Sequence, residues 1–239
     1  MNLFQYIMCG LCVFILSACQ STSLKQIEQI PDNQEILVVS ALGNNLSIRN
    51  TGAFSDELNK VDVREWDVDS LIAYNFIKLA KSRFQFLPFK SDKANEVGEL
   101  VTSHWDYSLD LGSANNEIFE MAENSGASYV LVFSTRDTTD IAPHTKGYGR
   151  YTASKGGVST VMNFASVCTT LFNAKTQKQM LQACPVARYA GTELPGDDGD
   201  SFDEQVKLVL TEKKEFIQIL VETALLGAKN ISIVQGNES

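Results

Sequence analysis

The chain of 239 residues is 44% hydrophobic and 21% charged, with 15 Gly and 5 Pro, which excludes a collagen-like, mucin-like or broadly disordered protein. Its 20 Lys and Arg stand against 29 Asp and Glu, and the resulting net charge of −9 repels a phosphate backbone, so general nucleic-acid binding is excluded. With an apolar leader set aside, the remainder is long enough to bury the core of one large domain.

Leu3 to Leu16 is apolar but for little more than Gln5. That is long enough for the h-region of a secretory signal and short of the roughly 20 residues that span a bilayer. Met1 to Ala18 holds no Lys or Arg, so the positive n-region is the terminal amine alone. Residues 1–18 therefore read as a signal peptide. Its end, Leu16-Ser17-Ala18-Cys19, resembles the lipobox of bacterial lipoproteins: a branched apolar residue, two small residues that fit the peptidase cleft, then a thiol. The resemblance implies that Cys19 receives a diacylglyceryl group, becomes the first mature residue and anchors the chain to a membrane through its acyl chains, palmitate among them. In such lipoproteins an Asp after the cysteine favours inner-membrane retention; Gln20 stands here, which implies the outer membrane with the domain facing the periplasm. Residues 19–34 read as a polar tether ending near Pro31 and Asp32.

Beyond the tether, Ile36 to Val39 reads as a short buried strand, and Leu46 to Phe54 as another after a turn at Gly43, Asn44 and Asn45. Asp67 or Asp69 can cap a helix running to about Phe84, with Val68, Ile72, Phe76 and Leu79 at helical spacing. Phe84 to Phe89 is a candidate strand. Asn116 to Ser125 is a helix ended by Gly126, and Tyr129 to Phe133 is a strongly apolar strand. Thr160–Phe172 and Gln179–Tyr189 form a long β-hairpin around the turn residues Asn173–Lys178. A last amphipathic helix runs from about Asp203 to Gly227, with Val206, Leu210, Phe216, Ile217, Leu220 and Ala224 as its stripe. Ile231 to Val234 offers a final short strand, and residues 236–239 a polar tail. The order predicts one α/β or α+β domain over residues 35–235, a mixed sheet with flanking helices, the long hairpin and the C-terminal helix.

The 5 cysteines sort by place: Cys9 and Cys12 leave with the signal, Cys19 carries lipid, and Cys168 and Cys184 remain. With the hairpin tip at Lys175, Thr176 and Gln177, Cys168 stands directly across the ladder from Cys184. An oxidising compartment then allows a disulfide closing a loop of about 15 residues, worth roughly 3 kcal/mol by chain entropy. A one-residue register slip would put the thiols on opposite faces and leave them free. The stretch from Ser166 to Lys178 resembles the strand, Asp-Ala-x-Thr-Gly turn and return strand of curli-secretion lipoproteins, penicillin-binding-protein activator lipoproteins and the amino-terminal domain of the Tol translocation protein. Asn173 replaces the Asp and Gln177 the Gly. The resemblance implies a non-catalytic scaffold or accessory role, with an envelope protein partner or self-association.

Tyr151-Thr152-Ala153-Ser154-Lys155 resembles the Tyr-x-x-x-Lys segment of short-chain dehydrogenases, in which Lys lowers the Tyr pKa for proton exchange. That chemistry needs a nicotinamide held by a Gly-rich turn after the first strand, and neither the stretch at Gly43 nor that at Gly52 supplies one, so no cofactor is expected. The reading is therefore not an enzyme, with a periplasmic enzyme using Tyr151 and Lys155, or a small-ligand carrier, as alternatives. The same segment holds Lys146, Tyr148, Arg150, Tyr151 and Lys155 without an acid, a basic and aromatic loop fit for a partner, or else a solvated hairpin guarding a sheet edge. Asp197, Asp198, Asp200, Asp203 and Glu204 gather near a helix start, but Phe202 stands where a Ca²⁺ loop needs an oxygen ligand. His104 and His144 lack partners at zinc spacing, so no metal is expected.

Overall fold

A computed structural model describes residues 30–52, 56–89, 102–103, 109–135, 137–138, 145–155, 158–195 and 202–235; at 102–103, 110, 113, 137–138, 145–146, 155, 158 and 188–195 it describes the backbone alone. Cys19 with the leader, His104, Trp105, His144, the acidic residues 197–201 and the tail 236–239 lie outside the described residues.

Nine strands form one mixed, open sheet: β1 (Glu35–Ala41), β2 (Asn45–Thr51), β3 (Asp56–Asp62), β4 (Gln85–Pro88), β5 (Tyr129–Thr135), β6 (Tyr148–Lys155), β7 (Val158–Asn173), β8 (Lys178–Ala183) and β9 (Val186–Pro195). The order is β3-β2-β6-β7-β5-β1-β4, with β8 and β9 on the other edge of β7. The long strand β7 joins two half-sheets. Its first part, Val158–Ser166, lies between β6 and β9, and its second, Val167–Asn173, meets β5 and then β8. The pairs β1–β4, β1–β5 and β2–β6 are parallel and the others antiparallel.

Strand side chains alternate between faces, and the β1–β5 half-sheet is apolar on both. Ile36, Val38, Leu131 and Phe133 enter one core with helices α1 (Val68–Leu79), α3 (Phe202–Thr211) and α4 (Lys213–Asn230). Leu37, Val39, Val130, Val132 and Phe172 enter a second core under α2 (Asn115–Ser125). Phe76 of α1 anchors the first core, its ring edge-on to Phe86 at 5.2 Å and to Phe133 at 4.8 Å. Trp66 also belongs to this core, against Phe216 at 6.1 Å. Gly126 ends α2 at φ +77°, and the Ala127 N–H donates to the Ala122 carbonyl at 2.9 Å, satisfying an orphan helix carbonyl.

Four expectations are corrected. The tether does not extend to residue 34: Ile30 is buried in the first core, Asn33 N–H donates to the Arg83 carbonyl at 3.0 Å, and Asp32 pairs with Arg83 at 2.6 Å. The helix beginning near Asp67 stops at Leu79, and neither Asp67 nor Asp69 caps it; Asp67 takes a left-handed φ of 51° with no side-chain cap, while Asp69 turns into the fold. The final helix is two helices broken at Glu212, whose carboxylate is held by Arg150 and Asn163 of the sheet. Residues 231–234 are turns, not a strand. Ile231 and Ile233 plug the end of the core while Ser232 takes φ 58° and the Ile233 N–H donates to the Ala228 carbonyl at 2.9 Å.

The hairpin's return limb breaks at Cys184–Pro185, between β8 and β9, where proline has no N–H to donate. Cys168 and Cys184 are bonded as a disulfide there, at the point where β7 passes from one half-sheet to the other. Thr169 pairs Ala183 and Thr170 pairs Gln182; a bulge between Leu171 and Phe172 then shifts the register ahead of the turn. Replacing both cysteines by alanine is expected to lower the unfolding free energy by about 3 kcal/mol, read from urea midpoints together with an m that rises as the unfolded chain expands, because the bond constrains the unfolded chain. An unchanged unfolding free energy would show that the bond contributes no stability.

Candidate functional site

Strand β6 carries the segment that the sequence singles out, and its position changes the reading. It is a central strand between β2 and β7, not a surface loop. Tyr148 is 0% exposed and Arg150 7% exposed, so neither presents itself to a partner. Tyr148 donates its hydroxyl to the Gly43 carbonyl at 2.9 Å. Arg150 donates through Nε to Asn163 Oδ1 at 3.1 Å and forms an ion pair with Glu212, and Asn163 Nδ2 reaches Glu212 at 3.0 Å and Glu215 at 3.2 Å. A buried guanidinium needs such a partner, and Glu212 supplies it by breaking the helix. Tyr151 is half-buried on the opposite face, and of Lys146 and Lys155 the backbone alone is described. Tyr151 and Lys155 stand four residues apart on a strand, which separates them by roughly 13 Å; on a helix they would share one face a turn apart. The dehydrogenase-like segment is helical in pattern, and here the backbone of both residues is strand instead.

A second polar cluster braces the turn between β1 and β2. The Asp69 carboxylate, buried at the start of α1, accepts from Ser40 Oγ at 2.6 Å, Leu42 N at 2.8 Å and Gly43 N at 3.2 Å. Burial pushes this carboxyl above the ordinary carboxylate range, and the three hydrogen bonds oppose that shift. The Tyr148 phenol is raised above its ordinary value, by burial first and then by the charges of Asp69 and Asp62. Together the two side chains hold the backbone of residues 42–43 from both sides, a structural role that Asp69 gave no sign of in a sequence where it reads as a cap.

At the other end of the parallel strands lies an open groove of about 840 Å³, between α2, the β7–β8 turn and the entering chain at Pro31 and Gln34. Phe119, Ala127 and Tyr129 supply its apolar surface, and Asn116, Glu120, Glu123, Asn173, Lys175 and Gln177 its polar rim. Backbone bonds fix its floor: Ser128 N–H donates to the Glu35 carbonyl at 3.0 Å and Ala174 N–H to the Ser128 carbonyl at 3.0 Å. Ser128 Oγ bonds Gln34 at 2.8 Å. The two departures in the turn motif are met locally. Asn173 Oδ1 accepts from Thr176 N at 2.9 Å and Oγ1 at 3.1 Å, as an Asp would, and Gln177 takes the positive φ of 55° that a glycine favours.

No family model and no curated protein matches the chain. Among solved structures it is similar to the C-terminal domain of LpoB from Salmonella enterica, at 12% identity over 70% of this chain and 93% of that one, with a TM-score of 0.26. It is also similar to lipoprotein GNA1162 from Neisseria meningitidis, at 13% identity over 77% of this chain and 99% of that one, with a TM-score of 0.33.

The groove was not visible in the sequence, because its walls come from α2, a turn and the entering chain, segments far apart in number. Its rim is amide and carboxylate with one ammonium, that of Lys175. Among the described residues no group of three or more His, Cys, Asp or Glu could hold a metal ion, and no helix is long and apolar enough to cross a membrane.

Proposed function

We propose that this chain is a lipid-anchored protein of the bacterial outer membrane, facing the periplasm, that binds an envelope protein through the groove beside α2 and catalyses no reaction. One observation supports the compartment above the others: a disulfide joins the two cysteines of the mature domain at the centre of the sheet, and such bonds persist where the surroundings are oxidising. The lipobox-like Leu16–Cys19 and the Gln20 that follows agree with that address.

Binding is favoured over turnover by what the polar groups do. Tyr148 and Arg150 are engaged inside the fold, and Tyr151 and Lys155 stand on a strand and not on one turn of a helix. The groove is open and sets apolar surface beside a rim of amides and charges, which suits an extended protein segment, whereas a small-ligand carrier needs an enclosed cavity.

Two measurements test the reading. Metabolic labelling with palmitate should mark the wild-type chain and not Cys19→Ser; equal labelling would remove the anchor. A photo-crosslinking residue at Glu120 should yield a discrete envelope adduct that disappears when Asn116→Trp fills the groove at unchanged thermal stability. An adduct indifferent to Asn116→Trp would place the contact elsewhere.

A further inference from the structure

At the ends of α1 and α4 a notch of about 200 Å³ opens, its lining shared between the apolar Leu79, Leu225, Leu226 and Val234 and the polar Lys81, Lys229 and Gln235. Leu79 is 55% exposed and Leu226 44%, both lining the notch, and Lys78 precedes Leu79 in the last turn of α1. Among the described residues no ion pair engages Lys78, Lys81 or Lys229, whose side chains are exposed. The acid about two turns before Lys229 on α4, Glu222, accepts a hydrogen bond from Gln218 at 2.8 Å. On a chain of net charge −9, this cationic and apolar patch is an exception.

The patch adjoins the place where the chain enters the fold. Lys81, Ser82 and Arg83 are consecutive: the Lys81 carbonyl accepts from Gln235 N–H at 2.7 Å, Ser82 Oγ donates to the Ile233 carbonyl at 2.6 Å, and the Arg83 carbonyl accepts from Asn33 N–H at 3.0 Å. Ile30 is therefore fixed at the same end of the molecule as Leu79 and Leu226. From Cys19 to Ile30 the chain reaches at most about 40 Å fully extended and about 18 Å as a flexible coil. An anchor on Cys19 holds this end near the bilayer and raises its effective concentration there.

We infer that the Leu79–Leu226 notch with Lys78, Lys81 and Lys229 is a membrane-docking surface for anionic phospholipid headgroups, seating the domain in one orientation on the bilayer that carries its anchor. The inference rests on the anchored reading above. The leucines enter the interface while the lysines meet lipid phosphates, as amphipathic surface segments do, and each lysine contributes roughly five-fold to partitioning onto an anionic surface. The groove beside α2 then stays free for its partner.

The full chain, purified in detergent and reconstituted into vesicles, tests this by amide hydrogen exchange. Residues 77–82 and 224–235 should exchange at least about ten-fold more slowly in vesicles of phosphatidylethanolamine with phosphatidylglycerol than in phosphatidylcholine alone. Lys81→Glu with Lys229→Glu should abolish the difference, and so should Leu79→Ser with Leu226→Ser; these positions are exposed, so folding is preserved. Equal exchange in the two vesicles, protection that survives both variant pairs, or protection that follows protein density and not lipid would overturn the inference. Intact mass of the same sample decides the anchor separately. Should no acyl mass be found, the anchored reading fails, and flotation of that sample with the two vesicles decides docking by itself, equal flotation overturning it.

Discussion

Gly149→Ala is expected to destabilise the protein by about 4 kcal/mol or more, a large fraction of the stability of a typical domain. A Cβ at this position would stand 1.8 Å from the Ser47 carbonyl oxygen and 2.8 Å from the Ser47 nitrogen. Overpacking in a core typically costs about 1–3 kcal/mol because side chains shift aside. Here the obstacle is backbone. Gly149 pairs Ser47 in the parallel ladder between β6 and β2, β6 is held on its far side by β7, and β2 by β3. Relief requires opening the β2–β6 pairing, which detaches β2 and β3 from the sheet and exposes Leu46 and Ile48, both 0% exposed. Urea unfolding and far-UV circular dichroism measure the effect. A variant within about 1 kcal/mol of wild type would show that the strands separate at little cost, against the close approach seen here.

The same ladder shows why much of the fold was legible and the site was not. Alternating or continuous apolar runs such as Ile36–Val39 and Tyr129–Phe133 announce strands, and α2 announces its end with Gly126, because burial and left-handed backbone leave residue signatures. Strand β3, Asp-Glu-Leu-Asn-Lys-Val-Asp, has no such signature: it is an edge with Val61 as its buried residue, and it stands in the sheet because β2 supplies hydrogen bonds. Strand β6 misled in the opposite sense. Its Tyr148, Arg150 and Tyr151 look like a solvated, basic surface, but Arg150 is neutralised by Glu212, a residue far along the chain whose cost is a broken helix. Long-range charge pairing of this kind has no local period. The groove beside α2 was illegible for the same reason, since three separated segments enclose it.

Asp69→Ala is expected to cost about 3 kcal/mol. It strands three buried donors, Ser40 Oγ, Leu42 N and Gly43 N, each worth about 1–3 kcal/mol when unsatisfied, while relief of the carboxylate's own burial offsets part of the loss. The Tyr148 hydroxyl, on the other side of the same turn, would then hold Gly43 alone. Asp69→Asn separates charge from shape. Because burial raises the Asp69 pKa above its reference of 3.8, the native state binds its proton more tightly than the unfolded chain does. Wild-type stability relative to Asp69→Asn is therefore greatest below the unfolded pKa and falls as pH rises through the elevated native value, the reverse of an ordinary salt-bridged carboxylate. Urea midpoints for the two chains measured side by side from acid to neutral pH should converge or cross as pH rises. Parallel profiles would mean that the three hydrogen bonds cancel the effect of burial, so that the carboxyl titrates alike in the folded and unfolded chain.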